Sequence, residues 1–410
     1  MRRAMISGVC MCFFSLLVVS CGSSVPENGH VGGLAYCGTG AGNLSGPDRL
    51  LGLVLDGARD SLYMVDLQTR SASLPIPVGP DPIALAVTPD GKWAYVVDGG
   101  YSTAKNMSAY RHSSIFKGAV VPVNLATGRA SRPIYSGLGP ISIAITPNGK
   151  WAYVADMGIL GGVGNSSFAV DASTVTPIDL ATGRPGKPIQ VGPGPGAIAI
   201  TPNGKWAYVA DTGTPVHPVN YVVPINLATG KVGSPIHTGI SPMAIAITPN
   251  GKWAYVADTG WPQARLQGHY VTPINLATNR PGKPIPVGAA PLSIAITPNG
   301  KWAYVANSGY GFGNHFTVTP IDLATDRPSK PIPVGAGPTW VAITPNGKWA
   351  YVADVGTFGS YNGGTIPGRE ITPINLSGNC PGKPIKLGNS PAAIAIVAEP
   401  AYLVNRLVKK

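Results

Sequence analysis

Charge is scarce in this chain. Only 12% of its 410 residues are Asp, Glu, Lys or Arg, and glutamate is confined to Glu27, Glu370 and Glu399. Disorder is excluded all the same, because 44% of the residues are hydrophobic, far more than a solvated coil carries. Long helices are excluded next: 54 Gly and 42 Pro leave no amphipathic helical stretch intact, and both residues disfavour helix interiors. Beyond the first twenty residues no apolar run is long enough to span a bilayer. Catalytic signatures are missing too, with no Gly-x-Ser-x-Gly, HExxH or phosphate loop. What remains is an all-β chain with many tight turns.

Residues 1–20 form a targeting segment, with Arg2 and Arg3 ahead of an apolar stretch from Ala4 to Val19. Val18-Val19-Ser20-Cys21 resembles a bacterial lipoprotein signal, in which Cys21 is acylated and becomes the mature N-terminus. Plain cleavage nearby, with Cys21 left unmodified, is the alternative. Residues 21–48 read as a flexible tether, opened by Gly22-Ser23-Ser24. Cysteine is sparse: of five, Cys10 and Cys12 leave with the signal and Cys21 takes the lipid, so Cys37 and Cys380 remain. An even pair in an oxidising compartment predicts a disulfide. The expected location is outside the cytoplasm, anchored to a membrane and facing the exterior or periplasm.

The segment TPNGKWAYVAD recurs nearly letter for letter, its tryptophan at Trp93, Trp151, Trp206, Trp253, Trp302 and Trp349. Such spacing means a repeat architecture. One unit, Pro291 to Gly335, parses into four strands: Ser293–Thr297, Trp302–Ala306, Thr317–Leu323 and Pro331–Val334. Asn299-Gly300 predicts a two-residue hairpin turn between the first two. Both of these strands are apolar on each face, so every sheet must be covered on both sides, and neighbouring copies supply the cover.

First strands open at Ile83, Ile141, Ala197, Ala244, Ser293, Trp340 and Ala392, which makes seven. The seventh, Ala392–Val397, has no third or fourth strand after it, while Asp66–Gly79 aligns without gaps to Asn275–Gly288. The two ends of the chain therefore share a blade, predicting a closed seven-bladed β-propeller of four-stranded antiparallel blades over residues 49–405. A basic tail, residues 406–410, follows. Leu50–Leu55 or Ala401–Val404 provides the second strand of that blade, with the N-terminal segment favoured. The second strand, reading YVAD or YVAN, resembles the YVTN family of β-propeller proteins along nearly the whole mature chain. That resemblance implies the fold and leaves function open, since such repeats serve binding proteins and enzymes alike.

Strand direction then sorts the turns. The turns joining first to second and third to fourth strands share one face. It holds Lys92, Lys150, Lys205, Lys252, Lys301 and Lys348, together with Arg70, Arg129, Arg132, Arg184, Lys187, Lys231, Arg280, Lys283, Arg327, Lys330 and Lys383. Most of the net charge of +12 resides there. Such a face suits anionic headgroups or wall polymers, although Lys and Arg are also ordinary turn residues copied with the repeat. Nucleic acid is not expected, for want of interleaved aromatic residues.

The opposite face carries a ring of strand ends, Asp98, Asp156, Asp211, Asp258, Asn307 and Asp354, expected to bond backbone amides rather than a cation. Beyond it the loops between second and third strands differ from copy to copy. They hold His112, His217, Trp261, His269, Tyr310, Phe312, His315 and Tyr361, residue types that recognition surfaces use. The expected function is thus binding of an extracellular or envelope protein or polymer. Inner strands carry no carboxylate or imidazole, so no metal or cofactor is expected. The alternative is a loop-borne enzyme site in which His112, His269, His315 and Glu370 meet over the channel, as in streptogramin-lyase-like propellers.

Overall fold

A computed structural model describes residues 50–100, 118–158, 173–213, 218–261, 266–309, 315–357, 366–387 and 390–398. Seven antiparallel sheets stand in a ring, and no helix occurs among these residues. Each full unit folds on itself, as in blade five: Pro291–Ile296 lies innermost, followed outward by Trp302–Asn307 and Thr317–Asp322. The inner strands of blades one to six begin at Pro82, Pro140, Pro195, Pro242, Pro291 and Pro338, one or two residues before the expected openings. Proline fits there because it can start a strand without owing an N–H.

Blade seven closes the ring with both ends of the chain. Its inner strand is Pro391–Ala398, which pairs antiparallel with Leu50–Asp56; Ser61–Asp66 and Ile76–Pro77 complete the blade. The N-terminal segment is therefore the second strand, and Ala401–Val404 lies outside the described residues. Inner strands touch in sequence around the circle, the last meeting the first. Apolar side chains of adjacent sheets mesh between blades, for example Ala197, Tyr208 and Val222 of blade three with Ala254, Val256 and Ile274 of blade four. Trp340 is an exception on the inner ring. It stands where other blades have Ala or Ser and packs against clusters drawn from blades seven, one and two, filling the centre.

Two local expectations fail, for reasons of hydrogen bonding. The Asn-Gly turn is a four-residue loop, not two. In blade five the Thr297 hydroxyl accepts from the Trp302 amide at 3.0 Å and donates to Asn299 Oδ1 at 2.7 Å, while Gly300 N–H donates to the Thr297 carbonyl at 2.8 Å. Gly300 takes the left-handed φ of 67° that this closure requires. The outer strand, expected as Pro331–Val334, is two short pieces, Arg327–Pro328 and Ile332–Pro333, both pairing with the third strand. Prolines 328, 331 and 333 have no N–H to donate, so a continuous ladder cannot form.

Candidate functional site

Backbone hydrogen bonds tie the basic face together. In blades one to six the first residue of the third-to-fourth turn donates to the carbonyl of the lysine in the first-to-second turn, as Leu180 does to Lys150 and Leu276 to Lys252, at 3.0 and 2.9 Å. Of the cations assigned to this face, all but Arg70 are exposed. Acids here are largely spent on the turns themselves: Asp179 Oδ1 accepts from the Ala181 and Thr182 amides at 2.9 and 3.0 Å. The Lys92–Asp90 pair, at 3.8 Å, is exposed on both sides and so contributes little. Contrary to the expectation of no interleaved aromatics, the six repeat tryptophans follow these lysines directly and stay partly exposed, Trp151 most of all at 37%.

On the opposite face the ring of strand ends has seven members, because Asp56 ends the second strand of blade seven and faces Pro391 as Asp98 faces Pro82. All seven side chains are buried. The turn role holds in part, and glycine explains how. An added Cβ at Gly137, Gly239 or Gly335 would lie within 2.8 Å of the side chain of Asp156, Asp258 or Asp354. Each carboxyl therefore lies flat on the connection from its blade's predecessor. Gly137 N–H donates to Asp156 Oδ1 at 3.0 Å, and Ser136 Oγ donates to the same atom at 2.7 Å.

A second donor comes from the third strand. Thr176 donates to Asp156 Oδ2 at 2.6 Å, Thr272 to Asp258 Oδ2 at 2.6 Å, and Thr372 to Asp354 Oδ2 at 2.5 Å. In blade five Asn307 supplies the donor itself, through Nδ2 to Thr319 at 2.9 Å. Burial outweighs these bonds and raises the carboxyls: Asp156 to about 6, Asp258 to about 7, Asp211 to about 8, and Asp354 well above the ordinary value. Asp211 lacks the hydroxyl donor because Val223 stands in the threonine position. Asp81, driven up to about 8, is raised by burial first and then by neighbouring Asp98 and Asp60. Among the described residues no three His, Cys, Asp or Glu form a group able to hold a metal ion.

Of the loop residues singled out in the sequence, His112, His217, Tyr310, Phe312 and Tyr361 lie outside the described residues, as do Cys21 and Cys37. Trp261 ends the second strand of blade four, paired with Leu266, and His269 follows half-buried on the returning strand. His315 is exposed just ahead of the third strand of blade five. Glu370 is half-buried on the third strand of blade six, raised by burial and pulled back by Lys386. These three groups reach the same face from three different blades, each two strands out from the centre. Cys380 opens the outer strand of blade six; its sulfur is engaged rather than a free thiol, and the other four cysteines lie outside the described residues.

One feature of this face is hidden in the sequence. In blades three, four and six the second strand runs past the ring aspartate, to Gly213, Trp261 and Thr357, and pairs with a returning third strand. Parts of the apparent loops are thus β-ribbons. Gly268 and Gly368 are the signal, since a Cβ at either would collide with the backbone of Gly260 or Gly356.

No protein-family model matches the chain, and no curated protein is significantly similar to it. The YVTN resemblance therefore rests on the repeat alone. Solved structures agree on the fold. Hydrazine synthase of Kuenenia stuttgartiensis is similar with a TM-score of 0.59 at 20% identity, over 77% of this chain and 89% of that one. A functionally unknown protein from Desulfotomaculum acetoxidans gives a TM-score of 0.62 at 16% identity, over 85% and 99%. At such identities the likeness speaks for the architecture alone: the fold is a seven-bladed β-propeller.

Proposed function

We propose that this chain is an exported binding scaffold, lipid-anchored through Cys21, that grips a protein or polymer of the cell envelope with its variable-loop face. One observation carries the reading. Six copies of the repeat keep the same strands and diverge in the connections between second and third strands, so sequence variety is spent at one face of a rigid ring. The inner strands support it by offering no His, Asp or Glu, with Trp340 occupying the centre. Among the described residues, His269, His315 and Glu370 stand on three separate blades and belong to no group of His, Cys, Asp or Glu able to hold a metal ion.

Blade seven supplies a natural control, because its second and third strands are joined by the tight turn between Asp56 and Ser61. Replacing the loops 101–117 and 358–365 by that turn leaves the strands intact. The wild type should capture a discrete partner from envelope extract, and the trimmed form should lose it. Equal capture by both forms overturns the reading. For the anchor, wild type should fractionate with membranes and Cys21→Ser should become soluble; identical partitioning removes the lipid from the proposal. The exposed cations of the other face suit an anionic surface, with attraction screened over about 10 Å at 0.1 M salt.

A further inference from the structure

The seven blade interfaces are not equivalent on the basic face. Between blades three and four the Tyr208 hydroxyl crosses to Asn279 Oδ1 at 2.9 Å. The same latch joins Tyr255 to Asp326 at 2.8 Å and Tyr304 to Asn379 at 2.6 Å. Asn279, Asp326 and Asn379 each hold the left-handed position of the third-to-fourth turn, with φ of 52°, 54° and 49°. Between blades six and seven that position is Arg70, which faces Tyr351. In blades two and three it is glycine, Gly183 and Gly230, so nothing at that position reaches the Tyr95 or Tyr153 hydroxyl. Two grooves open where the latch is missing, of about 1330 and 1110 Å³. Gly128 of blade one faces no latch tyrosine, because the second strand of blade seven carries Leu51 and Leu53 where that of blade two has Trp151 and Tyr153.

Both grooves share Trp151 as the ridge between them, with Trp93 on the far wall of the first and Trp206 on that of the second. Tyr135, 61% exposed, adds a further ring to the first. Arg132 and Lys150 line the first groove, Lys187 and Lys205 the second, and all four are exposed. Asp90 and Asp179, also in the first, are occupied: Asp90 by the Thr88 hydroxyl, the Lys92 amide and the Lys92 ammonium, Asp179 by its own turn. A ligand therefore meets tryptophan and tyrosine surfaces, uncommitted tyrosine hydroxyls and amide groups such as Asn148, with two cations set against two turn-bound carboxylates in the first groove and two unopposed cations in the second.

We propose that these paired grooves bind an acidic polysaccharide. Indole and phenol faces present flat apolar surface with a polar rim, which matches the C–H face and hydroxyl edge of a pyranose. Two cations per groove, set among hydroxyls and amides, match widely spaced carboxylates. A nucleic-acid strand, with a phosphate at every unit, would need a denser track of cations. The proposal borrows the charge of this face, goes beyond the scaffold reading, and places the ligand on the opposite side from the variable loops. The ring of blades keeps the two grooves at fixed separation, so one chain can occupy both and gain by effective concentration.

The test fills the grooves as blades four to six already do. Gly183→Asn combined with Gly230→Asn installs a residue that tolerates the left-handed conformation in this same turn, so Tm should be unchanged or higher. Polygalacturonate titrated into the full chain, followed by tryptophan fluorescence and calorimetry, should bind at least tenfold more weakly to the filled variant and to Trp151→Ala. Asn279→Gly, opening a third groove, should raise the binding stoichiometry. Neutral dextran should bind far more weakly, and loop-trimmed protein should bind polygalacturonate as the wild type does. Full-strength binding by the filled variant, or no binding by wild type, overturns the proposal. Tighter binding of an oligothymidylate than of polygalacturonate overturns it in favour of a nucleic-acid site.

Discussion

Thr176 donates its hydroxyl to the Asp156 carboxyl at 2.6 Å, joining the third strand of blade two to the end of its second. Even with this bond and those from Ser136 and Gly137, burial lifts the carboxyl to about 6. The folded protein thus holds protons that the unfolded chain releases near the ordinary value of 3.8.

The sign of the pH dependence follows from linkage. A carboxyl raised on folding contributes stability that is complete below the unfolded value and is lost as pH climbs through the folded one. Asp156, Asp258 and Asp211 set that window at about 6, 7 and 8. Tm measured by calorimetry should therefore be highest in mild acid and fall steadily from pH 5 to pH 8.5. A Tm that rises over that interval refutes the assignment. Asp211→Asn should flatten the upper part of the curve, since Asn307 already serves at the equivalent position.

Val223→Thr should give the ring position of blade three the hydroxyl donor it lacks. A hydrogen bond of the kind made to the ring carboxyls of blades two, four and six is worth about 1.5–3 kcal/mol when one partner is charged. Denaturant unfolding should show a gain of that order at pH 8. Loss of stability would mean that Val223 contributes more by its apolar packing.

Gly335→Ala should be costly despite the small size of the change. The new methyl group would lie 2.6–2.8 Å from the Asp354 carboxyl, and neither group can withdraw from a buried site. A loss of roughly 2–3 kcal/mol is expected from overpacking. The double variant Gly335→Ala, Asp354→Ala should recover part of it; strictly additive losses would show that the two residues do not touch.

Peptide mapping without reductant should recover Cys37 joined to Cys380. Reduction, or Cys37→Ser, should lower stability by on the order of 2–4 kcal/mol through the freed chain. Free thiols at both positions would remove the bridge.

Much of this architecture is legible in the residues, and the exceptions have physical causes. The blade count and the sharing of one blade by both ends follow from counting repeats, because each unit is incomplete without its neighbour. Six of the seven ring positions are visible as strand-ending Asp or Asn; Asp56 is hidden because its strand, LLGLVLD, has lost the Trp and Tyr that mark the others. Asn299-Gly300 suggests a tighter turn than occurs, since the dipeptide says nothing of the Thr297 hydroxyl that closes the loop. Neither the latches nor the groove they leave open can be read along the chain. Tyr208 and Asn279 are 71 residues apart, and only the ring brings them together.

The pairing of Leu50–Asp56 with Pro391–Ala398 has a consequence for biosynthesis. On the ribosome every other sheet can be completed in order, but the innermost strand of the last is made only after all the other strands of the ring. Until it arrives, the edge of Leu50–Asp56 stays open to any passing strand, including that of a second nascent copy. The circle cannot close before that strand is made, and a protease that trimmed residues 391–398 would undo it like a clasp.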